Sequence, residues 1–300
     1  MAGVVARRRV AKWCFVTPEP SALYALIATL FPWEIMQMRF MQQALAGLLL
    51  LAPMAALMGV QVVNFRMAFF ADAISHSTFT GVALGLILAV SPHWTMPVFG
   101  LIVGLAIVAA QRRSLLPNDT VIGVFFSGVV AFGLAVVSRD KNIARDIQQF
   151  LYGDILSISH DDIWAMIALL TVLIPFQAYG HNRMLYLGLN TVVAKVHGVR
   201  VAAYQYIYAG LLSLVVIFSV RAVGVLLVTA MLIVPAAAAR NFARTAGGMV
   251  WWALLVSTTS AVIGLLISAQ DWARTATGAT VILVAFVWFL ASAVVNLFRG

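Results

Sequence analysis

One pattern recurs along this chain and few folds can absorb it: apolar runs of about 20 residues, the length a helix needs to cross a bilayer, separated by short polar turns. They fall at roughly 43–63, 69–90, 94–111, 119–138, 162–180, 203–219, 222–239, 250–269 and 277–297. A membrane β-strand would show only about ten alternating residues. The runs therefore predict an all-α fold, a polytopic transmembrane bundle of about nine helices. With 63% hydrophobic and 10% charged residues, the chain is far less charged than a water-soluble domain, where the charged share is about a quarter. Lipid must solvate most of its surface.

The formal charge of +9 does not imply nucleic acid, because the basic residues punctuate apolar runs and do not share one soluble face. They read as topological anchors. Gln111-Arg112-Arg113 is the clearest basic turn and is assigned to the cytoplasm. Alternation then places Arg66, Arg183, Lys195, Arg200, Arg240, Arg244 and Arg299 on the same side, and Arg139, Lys141, Arg145, Arg221 and Arg274 opposite. Residues 1–37 carry Arg7, Arg8, Arg9 and Lys12 before a run broken by Pro18, Glu19, Pro20 and Pro32. They read as an N-terminal extension that a mis-assigned start would explain, ahead of a single transmembrane domain over 38–300. Cys14 is the only cysteine, so neither an internal disulfide nor a thiolate cage can form, and any metal must be held by nitrogen or oxygen. Two connections exceed a turn: 139–161, read as an outer interfacial segment, and 181–202, read as the longest cytoplasmic loop.

Of the ten acidic residues only Asp72 falls well inside an apolar run, and of the five histidines only His76 does. His93, His160, His181 and His197 lie outside the predicted spans. An ionised Asp at a membrane helix centre costs about 2.5–3.5 kcal/mol on insertion scales, so such groups face a polar interior. A separation of four residues is about 400° of helix, which puts both side chains on one face a turn apart. Imidazole with carboxylate suits zinc, and also manganese or ferrous iron. The plainer alternative is that the pair hydrogen-bonds internally and holds helices together.

The flanks suit a buried helix. Ala71, Ala73, Ser75, Ser77, Thr78 and Thr80 are small, and Gly81-x-x-x-Gly85 permits close helix approach on a side about 140–180° from His76. One chain brings only two ligands, too few for tight tetrahedral zinc. A two-fold homodimer would double them. A weak site also suits conduction, since an ion held too tightly does not leave.

The stretch from Arg66-Met67 through Ala71-Asp72, Ser75-His76 and Gly81-Val82-Ala83 resembles the opening of the zinc, manganese and iron ABC importer permeases. Gly153-Asp154-Ile155-Leu156 resembles a second block of that family, and Val223-Gly224-Val225-Leu226-Leu227-Val228 through Pro235-Ala236-Ala237-Ala238-Ala239-Arg240 a third, the most specific. The resemblance covers about 38–298 and implies a homodimeric or pseudo-dimeric permease, zinc-uptake-like, in the cell membrane. It further implies a separate cytoplasmic ATPase, an extracytoplasmic metal-binding protein, Asp72 and His76 as the intramembrane metal residues, and no permanently bound cofactor. The family's Asp-x-x-x-Ala-x-x-x-Gly coupling pattern reads here Asn190, Ala194 and Gly198, whose small residues would let a short helix sit in the ATPase's cleft. Two departures stand out: Asn190 replaces the usual acid, removing any salt bridge to the ATPase, and Ala71 replaces the usual Gly. Pro235 is read as a kink, and Met231 as packing.

No glycine loop followed by Gly-Lys-Ser/Thr occurs, so an ATP-driven reading places hydrolysis in a partner chain. A proton- or sodium-coupled secondary carrier is the main alternative. Such carriers often repeat charged residues in both halves, whereas here the ionisable pair occupies one span. An intramembrane metal enzyme would need more ligands and a base, and no H-E-x-x-H appears. A membrane scaffold or ATPase-partnered sensor stays open.

Overall fold

In the computed structural model of the chain, residues 38–138, 158–270 and 275–298, with Thr29, are described. The stretch 1–37 (Thr29 apart), the block Gly153-Asp154-Ile155-Leu156 and the basic residues Arg139, Lys141, Arg145, Arg274 and Arg299 lie outside the described residues. The described residues form helices α1 (Arg39–Asn64), α2 (Phe70–Ile87), α3 (Pro92–Arg113), α4 (Asn118–Val137), α5 (His160–Leu189), α6 (Thr191–Val196), α7 (Val201–Val223), α8 (Val225–Phe242), α9 (Ala246–Ser268) and α10 (Thr277–Leu297).

Eight of these are long and apolar enough to cross a membrane. The remaining long helix is α2, whose Asp72, His76 and run of hydroxyls dilute its apolar character. It is packed by α3, α4, α7 and α8, so the other helices provide most of the contact with lipid. α1 is the axis of the other half, packed by α5, α7, α8 and α9. α4 and α10 lie outermost and present Val124, Phe132, Leu283 and Val287 outward, as lipid-facing helices should.

Helix boundaries have local causes. Pro92 opens α3, where its missing N–H costs nothing. Ser159 and Asp162 form a capping box at the start of α5, and the Thr245 hydroxyl accepts from the Gly248 amide at 3.1 Å at the start of α9. Gly224, at φ 85°, breaks the path between α7 and α8 in a conformation that suits glycine. Pro53, Pro97, Pro175 and Pro235 all lie inside helices, which packed neighbours tolerate in membranes. Cross-helix polar bonds tie the centre. Tyr208 donates its hydroxyl to the Met58 carbonyl at 3.0 Å, and Ser257 donates to the Ala52 carbonyl at 2.9 Å.

The expected loop at 181–202 is corrected in its first part. α5 continues without interruption to Leu189. His181-Asn182-Arg183 marks where this helix leaves the apolar environment, not where it ends. Gln177, Gly180, Met184 and Leu187 are its buried residues there, spaced by three and four, so one packed stripe carries the helix onward.

Arg66 and Arg240 line one cleft with Leu189, Arg112 lines another with Phe65 and Leu187, and Arg183 shares a third with Arg200. These residues crowd one end of the bundle, the end that the positive-inside rule assigns to the cytoplasm.

Candidate metal site in the membrane

α2 is buried along almost its whole length, and the exceptions have a pattern. Between Ala71 and Ala83 only Asp72, His76 and Phe79 are half-buried, while Ala71, Ala73, Ile74, Ser75, Ser77, Thr78 and Thr80 are enclosed. Spacings of four and three put these exceptions on one face. The hydroxyls on the enclosed faces are largely turned to structural use: Ser77 donates to the Ile74 carbonyl at 2.6 Å and Thr80 to the Val129 carbonyl of α4 at 3.1 Å. Ser75 is the exception, its hydroxyl buried without a hydrogen-bond partner.

The open face of α2 meets α4 across a cavity of about 550 Å³. Asp72, His76 and nearby Phe69 form one wall, and Asp119, Thr120, Gly123, Phe126 and Ser127 the other. The His76 ring stands edge-on to Phe126, centroids 5.1 Å apart at 81°. Asp72 has the His76 ring as a charge neighbour and the Thr229 side chain of α8 as a hydrogen-bonding neighbour. Among the described residues no hydrogen bond joins Asp72 to His76, and no cluster of three or more His, Cys, Asp or Glu could hold a metal. The pair is thus two donors, one oxygen and one nitrogen, presented into space at the edge of the bundle.

The chain matches the ABC 3 transport family over residues 37–296. It belongs to that family. Among its relatives is the high-affinity zinc uptake system membrane protein ZnuB of Haemophilus influenzae, 32% identical over 244 residues, which are 81% of this chain and 93% of that one. The manganese import system permease protein ScaB of Streptococcus parasanguinis is 30% identical over 258 residues, 86% of this chain and 91% of that one. Among solved structures, PsaBC from Streptococcus pneumoniae in complex with Fab aligns at a TM-score of 0.72 with 28% identity, covering 91% of this chain and 95% of that one. This ABC 3 family member is accordingly a multi-pass membrane permease.

The other residues singled out in the permease fall in separate places. Gly81 and Gly85 lie against the start of α3. A Cβ on Gly81 would stand 3.0 Å from Met96 Cα, and one on Gly85 would meet the Thr95 hydroxyl. Pro235 is buried within α8, where it cannot donate to the Met231 carbonyl, and Met231 is fully enclosed in the core.

At the cytoplasmic end, the Asn190 side chain accepts from the Val192 amide at 2.7 Å and caps α6. Ala194 faces inward. It is fully buried within its own chain, packed with Leu187, Val199 and Val201, so its small size lets α6 lie close against α5 and α7. Val192, Val193 and Val196 are the exposed residues of α6. Gly198 has open space around it and a φ of 72°, so the backbone turn accounts for its being glycine.

Asp119 was missed. It lies at the start of α4, where sequence reading assigns it to a span end. A carboxylate three positions after Leu116 looks like a first-turn residue stabilised by the helix N-terminus. The available signal was its periodicity with Gly123 and Phe126, which places it on the groove face of α4.

Proposed function

We propose that this permease is the membrane-spanning subunit of an ATP-driven importer for a divalent transition metal, zinc first and manganese or iron as alternatives. Asp72 and His76 are the residues that receive the ion within the membrane. The observation that carries this reading is the half-open placement of a carboxylate and an imidazole on an otherwise enclosed helix, beside a cavity at the edge of the bundle. The names of the zinc and manganese relatives support the substrate class.

A carboxylate facing hydrocarbon would cost several kcal/mol, roughly the insertion penalty of an ionised Asp. Something polar must therefore meet the α2–α4 groove. A second copy related by a two-fold axis would enclose the groove and add a second Asp72 and His76, completing a four-donor path. Two donors per subunit keep the ion's residence short. Catalysis of ATP hydrolysis belongs to a separate cytoplasmic ATPase that docks on α6, and an extracytoplasmic metal-binding protein delivers the ion.

The test is reconstitution with the partner ATPase in liposomes, measuring metal-stimulated ATP turnover and uptake of zinc, manganese and iron in parallel. Turnover and uptake should need the ATPase and should collapse in Asp72→Ala with His76→Ala. Stimulation that survives this double substitution removes the site assignment. Uptake by the permease alone, following a proton gradient, replaces the importer with a secondary carrier.

A further inference from the structure

A second cavity, of about 500 Å³, opens on the cytoplasmic side between α5, α7 and the turn after α6, far from the metal groove in sequence and lined by different helices. Its rim holds Arg183, Arg200 and His197, and its wall continues onto Phe176 and Ile207 of the spanning helices.

Among the described residues no carboxylate pairs with Arg183 or Arg200, and from 163 to 270 the chain contains no Asp or Glu. Arg183 donates to the Tyr204 hydroxyl at 2.5 Å and lies 5.7 Å from the centre of that ring. Both contacts position the guanidinium without neutralising it, since a phenol is uncharged. A planar guanidinium braced on an aromatic ring is pre-organised for a phosphate oxygen pair.

The cavity is also amphipathic along the membrane normal. Ile207 is 50% exposed and Tyr179, further along α5, is 82% exposed, so this side of the bundle is an outer surface. Positive charge therefore sits directly above an apolar wall that is open to lipid. A soluble anion would use only the rim, whereas a phospholipid fills both parts.

We propose that this cavity binds the phosphate headgroup of an anionic phospholipid of the cytoplasmic leaflet, with an acyl chain along Phe176 and Ile207. Basic pockets between spanning helices on that side are a recurrent means of holding such headgroups. The lipid would brace the α5–α7 junction beside α6 through the same Arg183 that holds Tyr204. This assignment depends only on the membrane placement of the chain, so it stands or falls separately from the metal site.

The experiment uses the full-length protein in neutral detergent, titrated with phosphatidylglycerol or phosphatidylcholine, with retained lipid read by native mass spectrometry and thermal shift. Wild type should retain phosphatidylglycerol preferentially, and Arg183→Gln with Arg200→Gln should reduce that preference by about thirtyfold, at the usual contribution of each surface arginine. Arg240→Gln with Arg244→Gln removes equal charge from the same end and should leave the preference intact. Ala203→Trp fills the cavity without changing charge and should abolish the preference, which covers the case in which the double variant does not fold. Millimolar inorganic phosphate should fail to displace the lipid. Equal retention of the two lipids by wild type, or undiminished preference in Ala203→Trp, overturns the proposal. So does displacement by phosphate, which marks a site for the free anion, or loss of the preference on ATPase binding, which marks a protein interface.

Discussion

The main-chain oxygen of Leu232 occupies the position that a Cβ on Gly59 would take. α1 and α8 therefore meet backbone to backbone here, and Pro235 follows one turn later on α8. Gly59→Ala forces either helix to move against a carbonyl that has no rotamer to change. The expected cost is at the upper end of overpacking penalties, about 3 kcal/mol. Gly247→Ala, where nothing lies within 4 Å, should be neutral or slightly stabilising, by up to about 1 kcal/mol. Thermal unfolding of the two variants in the same detergent checks both.

Helix existence was legible because lipid imposes length and apolarity together, and the helices from α1 to α10 other than α6 each fall on a run read from the sequence. Asp72 and His76 were legible for the converse reason: a polar pair inside such a run is conspicuous. The unread parts lie where polarity stops being informative. Beyond Gly180 the sequence turns polar and looks like a loop, yet Met184 and Leu187 continue the packed stripe of α5. Ala194 is legible as small, but only the fold shows Leu187 and Val199 closing over it. Asp119 was unremarkable until α4 was laid against α2.

Asn190 stands where an acid was expected, and its Oδ1 takes the Val192 amide. Asn and Asp are nearly equal as helix N-caps. Asn190→Asp should therefore leave α6 intact and ATPase stimulation unchanged or raised. Asn190→Ala loses the cap, costs about 1 kcal/mol locally, and should lower metal-stimulated turnover while leaving global unfolding almost unmoved. Hydrogen exchange across 190–198 separates local loosening of α6 from a change elsewhere.

Tyr208 is enclosed at the centre of the bundle, with its hydroxyl on the Met58 carbonyl and its ring edge-on to Phe65 at 5.2 Å. Tyr208→Phe keeps the ring contact and deletes the bond. Interhelical bonds in membrane proteins average about 0.6 kcal/mol, so the variant should melt only slightly below wild type and transport normally. Tyr208→Ala removes the ring as well and should cost about 3–5 kcal/mol, as for other large-to-small core changes. Equilibrium unfolding of the pair tests whether packing outweighs the polar bond here.

Asp72 and Asp119 line the same cavity but should fail differently when neutralised. Asp72 is half-buried and acts as a proposed ligand. Asp72→Asn replaces an anionic carboxylate with a neutral amide oxygen, a far weaker metal donor, and no excess of metal restores the lost charge. Maximal uptake should fall at least about tenfold, corresponding to 1.4 kcal/mol or more, while thermal stability holds or rises because a costly charge has gone. Asp119 is exposed at the start of α4 and contributes field more than coordination. Asn118 beside it reaches the Phe65 carbonyl at the cytoplasmic end, so an imported ion meets Asp119 after Asp72. Asp119→Asn should therefore lower maximal uptake by no more than about threefold at low ionic strength. Because exposed charges are screened within about 8 Å at physiological ionic strength, that defect should shrink as salt is added, whereas the Asp72→Asn defect should not. Uptake measured against metal concentration at two ionic strengths distinguishes the roles. A salt-independent loss of the maximum in Asp119→Asn would instead make it a ligand of equal standing.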